Sequence, residues 1–199
     1  MVQCVDAYSG EDRSSLKFAS TPFLGEDNVF EDYAKYHEGH HGTLQHIASS
    51  ALMKVLYAAR LACFDLFKAV ANLAKEITKW DKGCDSMLHR LMCYINFCLN
   101  MSLKGHIGDP PDKLRIALYS DADFAGDKDS SKSTSGIFIA ITGPKSFYPF
   151  NATSRKQSCV SHSTPEAEIV AANAAIRTEG LPALQRWEKV LGRKVERIL

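Results

Sequence analysis

Two hydrophobic periods follow one another along the chain. From Ile47 to Asn100 apolar residues recur at helical spacing: Leu52, Val55, Leu56 and Ala59 share one face, Leu66, Ala69, Val70 and Leu73 a second, and Leu88, Leu91, Met92, Ile95 and Leu99 a third. Three helices are expected, with breaks near Ala62–Phe64 and at Lys79–Gly83, and Asp81 or Asp85 can cap the helix after the second break. The run Gly105-His-Ile-Gly-Asp-Pro-Pro111 is a connector, because paired prolines stop a helix and the glycines add freedom.

Beyond it the period falls to two. Leu114, Ile116 and Leu118 alternate with Arg115, Ala117 and Tyr119, residues 137–141 (Ile-Phe-Ile-Ala-Ile) form a second β-prone run, and residues 146–150 a third, weakened by Pro149. The sequence predicts a strand, a long loop and a hairpin turning at Thr142-Gly143-Pro144. A helix follows from Thr164-Pro165, where Ser163-x-x-Glu166 fits a capping box and Ala167, Val170, Ala171, Ala174 and Ala175 offer a small-residue face for a sheet. Gly180-Leu-Pro182 interrupts or bends that helix, a further run reaches Leu191, and Val195–Leu199 reads as the opening of a fourth strand. Residues 1–45 are polar and irregular, the pattern of a flexible lead-in. The division is thus a lead-in over 1–45, a helical region over 46–104, a linker over 105–112 and a strand-and-helix region over 113–199, of α+β or mixed α/β class.

Composition narrows the picture little. A chain of 199 residues, 45% of them hydrophobic, can bury one sizeable core or two small ones. Residues 1–110 hold 11 Lys and Arg against 13 Asp and Glu, and residues 111–199 hold 13 against 10, with no clustered basic footprint of the kind nucleic-acid-binding domains display. The six cysteines include no C-x-x-C pair and no signal segment opens the chain, so reduced thiols in an intracellular protein, cytoplasmic or nuclear and not secreted, are expected. Cys84, Cys93 and Cys98 fall in an apolar helical pattern, which suits core packing rather than metal binding. No apolar run approaches the ~20 residues that span a bilayer.

Chemistry concentrates in two places. Tyr119-Ser-Asp-Ala-Asp-Phe-Ala-Gly-Asp127 sets carboxylates at Asp121, Asp123 and Asp127, with Asp129 just beyond, where the first strand should end; oxygen donors on a rigid strand suit a hard cation. A calcium loop starting at Asp121 fits at Asp123 and Gly126 but fails at Ala125 and at Lys132, where a bidentate Glu belongs. A solvated acidic turn is the plainer alternative. The second place is Ser161-His-Ser-Thr-Pro-Glu-Ala-Glu168, where Glu166 and Glu168 point about 200° apart around a helix axis. One can cap while the other turns inward, and Glu168 keeps near-helical spacing with Ala171 and Ala175. Carboxylates from a strand and a helix converging on cations are what a two-metal phosphodiester hydrolase needs.

The segment Leu118-Tyr-Ser-Asp-Ala-Asp-Phe-Ala-Gly-Asp127, then Lys132-Ser-Thr-Ser-Gly136, Ser154-Arg-Lys-Gln157 and Ser163-Thr-Pro-Glu-Ala-Glu-Ile-Val-Ala-Ala172, resembles the ribonuclease H domain of copia-type retrotransposon polyproteins. Leu52–Arg60, Phe64-Asp-Leu66, Ala69-Val70 and His89–Ile95 are similar to the helical connection region that follows reverse transcriptase there, and Ser20-Thr-Pro-Phe-Leu24 is a weaker likeness. The resemblance implies a mixed five-stranded sheet whose first three strands form an antiparallel meander, and cleavage of the RNA strand of RNA–DNA hybrids by two Mg2+ or Mn2+ ions on four acidic residues. Its partners would be the hybrid and the rest of the polyprotein, with no membrane. Residue by residue, the first-strand acid is Asp121 and the helix acid Glu168, both metal-binding and catalytic, with Asp123 secondary.

Departures from the family pattern are as informative. The third and fourth acids fall past Leu199, no Asp follows Asp129, and Glu179, Glu188 and Glu196 stand at the wrong places to substitute. The paired-Asp motif of reverse transcriptases is absent too. A truncated ribonuclease H-like domain with little hydrolysis of its own is therefore expected, the alternative being a non-enzymatic remnant that at most binds nucleic acid or a partner. The remaining signals read plainly: His37-x-x-His40-His41 lacks a Cys or acidic partner at zinc spacing, Cys159-Val-Ser-His162 is too local to aim a thiol at an imidazole, and Arg155-Lys156 is a solvated pair or a phosphate contact.

Overall fold

The computed structural model describes residues 1–10, 12–24, 41–127 and 130–194, together with the backbone of 196–198. The chain is mixed α+β and divides into two units, Met1–Ser102 and Leu103–Leu199. No helix among the described residues is long and apolar enough to cross a membrane.

The first unit is helical: α1 (Val2–Ser9), α2 (Gln45–Leu61), α3 (Phe67–Lys75) and α4 (Lys82–Cys98), joined in part by single 3-10 turns. Each helix buries one stripe. Ala48, Leu52, Val55 and Ala59 line α2, Ala69, Val70 and Leu73 line α3, and Leu88, Leu91, Met92 and Ile95 line α4, all in one core. The breaks fall where the period predicts them. At the first, Ala62 leaves helical geometry and Phe64–Leu66 makes one 3-10 turn; at the second, Ile77–Lys79 does the same before Trp80 turns extended.

The lead-in expectation fails over its described part. Cys4 and Val5 of α1 are buried with Leu16 and Ala19 in the helical core, and Arg13 is tied to Asp6 at 2.6 Å. Two helical turns leave too little length for a period to be read, yet Cys4 and Val5 are buried and Tyr8 packs against the same core, its hydroxyl 3.0 Å from His89 Nδ1, which docks the helix. His37 and His40 lie outside the described residues.

One carboxylate joins the starts of α2 and α4. Asp81 is the N-cap of α4, its Oδ1 accepting from Cys84 N at 2.8 Å. Asp85 does something else: it accepts from the Trp80 indole at 2.6 Å, from Thr43 N at 2.7 Å, from Thr43 Oγ1 at 2.9 Å and from Leu44 N at 3.1 Å. No side chain of its own caps α2, so Asp85 takes up donors at that terminus from across the unit. The approach is close enough that a Cβ on Gly42 would sit 2.5 Å from the Asp81 carbonyl oxygen, leaving room there for glycine alone.

The second unit carries a sheet of order β3-β2-β1-β4, with β1 (Arg115–Asp127), β2 (Lys132–Gly143) and β3 (Ser146–Lys156) an antiparallel meander and β4 (Glu196–Ile198) parallel to the start of β1. The strands run further than apolar alternation predicts, and the expected long loop is a ladder reaching Asp127↔Lys132. Backbone pairing needs no apolar side chain, and the buried hydroxyls of Ser133 and Ser135 meet partners at 3.1 and 3.0 Å. Pro149 is accommodated on an outer strand at a register irregularity. The connector is held as well: His106 and Phe147 exchange both backbone hydrogen bonds at 2.9 Å, and Asp109 accepts from Lys145 N and Ser146 Oγ, both at 2.6 Å.

Helices α5 (Thr164–Ala175) and α6 (Leu181–Leu191) pack on one face of this sheet, where Ile116, Leu118, Ile137 and Ile139 meet Ala175, Leu184 and Trp187. Between them Ile176–Gly180 forms a π-turn. Pro182 supplies no N–H, and widening the preceding turn lets the helix continue past it without a break.

Two measurements check the first unit. Burial raises the Asp85 pKa, but the Trp80 indole and the Thr43 and Leu44 donors outweigh it and hold the carboxyl below its ordinary value. A depressed carboxyl stabilises the fold above its unfolded pKa of about 3.9 and loses that contribution as pH falls through the lower folded value. Asp85→Ala, which strands the buried Trp80 N–H, should cost about 1–3 kcal/mol in urea unfolding near neutral pH, and the gap from wild type should close in strong acid. Thiol labelling of the native chain gives the second check. All six cysteines are free; Cys159 is exposed and should react first, whereas burial pushes Cys84 up to about 12 and should delay it until unfolding.

Candidate functional site

Both acidic clusters lie in the second unit. β1 carries the whole run Asp121–Asp127 rather than ending before it. The ladder with β2 is regular through Asp123↔Thr134 and resumes at Asp127↔Lys132. Between these pairs the strand bulges: Ala125 takes φ 53°, and its N–H donates to Ser133 Oγ at 3.1 Å. A Cβ on Gly126 would lie 2.4 Å from Asp123 Oδ2, so glycine is what lets that carboxylate fold over the bulge. A strand hairpin of this kind is not the helix–loop–helix of a calcium loop. Asp129 falls outside the described residues.

The bulge sorts the carboxylates. Asp127 is engaged in structure: Oδ1 accepts from Ser130 N and Oγ, each at 3.0 Å, and Oδ2 pairs with Lys156 Nζ at 2.6 Å. Asp121 stands exposed in the regular part of the strand, opposite Gly136.

At α5, the capping box forms with a one-residue offset. Ser163 Oγ accepts from Glu166 N at 3.3 Å, and Glu166 Oε2 accepts from His162 N at 2.8 Å, one residue before the cap. Glu166 is thereby occupied. Glu168 is half-buried, flanking the stripe of Ala167, Ala171 and Ala175 that presses on the sheet.

A buried amide sets where that helix starts. Gln157 Nε2 donates to Ser135 Oγ and to the Ala167 carbonyl, both at 3.0 Å, its Oε1 accepts from Ser161 Oγ at 3.4 Å, and its backbone N–H donates to Ser133 O at 2.8 Å. The first turn of α5, and with it Glu168, is pinned to β2 by one side chain. In the sequence Gln157 is the last residue of the Ser154-Arg-Lys-Gln157 motif; nothing in periodicity or charge assigns it this role.

The ladder also separates the two predicted metal ligands. Ile116 and Leu118 face the helices, paired with Ile141 and Ile139. Strand alternation then turns Asp121, three residues past Leu118, to the opposite face, with Tyr119 and Phe138. Glu168 rides on a helix of the first face. Among the described residues no group of three or more His, Cys, Asp and Glu side chains comes together that could hold a metal ion.

Comparison with known proteins identifies no relative: no family model matches the sequence, no curated protein is similar to it, and no solved structure matches the chain.

Because Gln157 satisfies Ser135 and the Ala167 carbonyl inside the unit, Gln157→Ala should destabilise it by about 1–3 kcal/mol, read as a lower urea midpoint. Ser154→Ala, at the same strand end but outside the knot, should leave the midpoint within about 0.5 kcal/mol of wild type.

Proposed function

We propose that the second unit is a ribonuclease H-like unit of a copia-type retroelement polyprotein, related to enzymes that cut the RNA strand of RNA–DNA hybrids, and that the first unit corresponds to the helical connection region of such a polyprotein. One observation carries this reading. The four sequence motifs fall in order on successive elements: Asp121 on β1, Lys132–Gly136 at the start of β2, Ser154–Gln157 at the end of β3, and Ser163–Ala172 through the cap and body of α5. The meander followed by a helix and a strand parallel to β1 is consistent with it.

Among the described residues the acids do not fit a two-ion centre. Asp127 and Glu166 are committed to a turn and a cap, Glu179 accepts from Asn151 Nδ2 at 2.7 Å, and Asp121 and Glu168 stand on different faces. Two divalent ions held close together repel strongly unless several carboxylates offset their charge. We therefore infer that the chain alone is not a working hydrolase, and that Asp121 and Glu168 are at most loose contacts for Mg2+ or Mn2+. The same observation favours the second reading for the isolated chain, a non-enzymatic unit that binds nucleic acid or a partner.

An end-labelled RNA–DNA hybrid incubated with the purified chain and Mg2+ or Mn2+ should remain uncut. Metal-dependent cleavage abolished by Asp121→Asn would overturn the inference of inactivity. In a parallel NMR titration, Mn2+ at millimolar concentration should broaden amides around Asp121, and Asp121→Asn should remove that effect. Broadening confined to other surfaces would remove Asp121 from the candidate site.

A further inference from the structure

Residues 20–23 of the first unit form bends outside any helix or strand, and they hold one of the two Thr-Pro pairs of the chain, Thr21-Pro22; the other is Thr164-Pro165. Thr21 is exposed, and its hydroxyl is engaged on both sides. Oγ1 donates to the Phe23 carbonyl at 2.8 Å and accepts from Nη2 of Arg90, on α4, at 2.9 Å.

Arg90 is less well matched. Its Nε is buried and has no hydrogen-bond partner, and among the described residues no carboxylate pairs with its charge. A guanidinium presents Nε–H and Nη2–H side by side along one edge, a fork that takes two oxygens of a carboxylate or phosphate at once. Here a single neutral oxygen, Thr21 Oγ1, meets one prong, and the other prong has none. A second cation is close by: Lys68 Nζ, on α3, lies 5.6 Å from the ring centre of Phe23, two residues after Thr21. What would complete the fork is an anionic group with more than one oxygen, carried at Oγ1 itself. A phosphoryl group meets each condition.

We propose that Thr21 is a phosphorylation site for a proline-directed protein kinase and that Arg90 receives the phosphate, clamping residues 20–23 onto α4. In the transfer Oγ1 forms a bond to the γ-phosphorus of ATP and the bond from that phosphorus to the bridging oxygen breaks. ADP leaves with the electron pair, and the hydroxyl proton passes through the base of the kinase to solvent. Loss of that proton ends the bond to the Phe23 carbonyl. In exchange the phosphate gains charge-assisted hydrogen bonds to the guanidinium, each roughly twice as strong as a neutral one. Pro22 is buried, so the segment must lift to enter a kinase, but in doing so it breaks no ladder and no helical turn. Thr164-Pro165 differs in this respect, because it forms the first turn of α5 and lifting it would unwind the helix. The site uses none of the acids of the second unit and stands apart from the hydrolase relationship.

The test is to incubate the full chain with ATP and a purified proline-directed kinase and to locate the phosphate by tandem mass spectrometry. Incorporation at Thr21 is expected, and Thr21→Ala, which leaves Thr164 in place, should abolish it. Phosphorus NMR of the product reads the receiver. The second ionisation of the phosphothreonine should fall about one unit below its value in the same chain unfolded in urea, because the guanidinium favours the dianion. Arg90→Gln should remove most of that difference and Arg90→Lys, which keeps the charge without the fork, should retain part of it, an unchanged circular dichroism spectrum showing that each folds. Should neither variant fold, the comparison of folded with unfolded wild-type phosphoprotein still decides. No incorporation at Thr21, incorporation at Thr164 alone, a phosphate that ionises alike in the folded and unfolded chain, or a difference that persists in folded Arg90→Gln would overturn the proposal.

Discussion

The β1–β2 register governs the second unit. Because side chains alternate along a strand, a slip of one residue would turn the side chains of one strand over to the other face. In the observed register Ile116, Leu118, Ile137 and Ile139 meet the helices, and Tyr119, Asp121 and Phe138 turn away. The apolar residues of the strands enforce this choice, since a slip would carry one strand's pair, Ile116 with Leu118 or Ile137 with Ile139, off the helices at a cost of about 1.5–3 kcal/mol for each side chain. The polar consequences, including the face on which Asp121 stands, follow from a decision made by the isoleucines and leucine.

In the first unit the corresponding role falls to a polar residue. The apolar stripes of α2, α3 and α4 would pack in several axial offsets, for ridges and grooves repeat along a helix. Asp85 removes that freedom by accepting donors from Trp80, Thr43 and Leu44 at once, which aligns the starts of α2 and α4. The hydrophobic core supplies the driving force, and one carboxylate supplies the alignment.

How much of this was legible in the sequence depended on whether the signal was periodic. The stripes of the helical unit, the breaks at Ala62 and Lys79, the capping residues Asp81 and Ser163, and the hairpin of β2 and β3 followed by a helix all rest on spacing, and they recur in the structure. Three things were not legible. The docking of α1 rests on Cys4, Val5 and Tyr8 in a helix of only two turns, the extension of β1 and β2 through serines, threonine and aspartates rests on backbone pairing, and the role of Gln157 rests on contacts with residues 22 and 10 positions away. A lone amide that satisfies several distant groups leaves no pattern in one dimension.

The candidate site shows the same limit at the level of chemistry. Asp121, Asp123 and Asp127 look equivalent in the sequence, as do Glu166 and Glu168, because each is a carboxylate at a suitable distance from the others. Structure makes them unequal. Asp127 and Glu166 spend their lone pairs on nearby N–H, hydroxyl and ammonium groups, and Asp123 is folded over Gly126 by the bulge. Among the described carboxylates of the two clusters, only Asp121 and Glu168 stand outside such turn and cap bonding, and the family resemblance names the same two positions. The ladder assigns these two residues to different faces of the sheet. A carboxylate that caps or braces must be local, whereas one that binds a ligand must be left over. Subtracting local obligations from an acidic cluster is therefore a more discriminating way to choose candidate ligands than counting carboxylates by spacing.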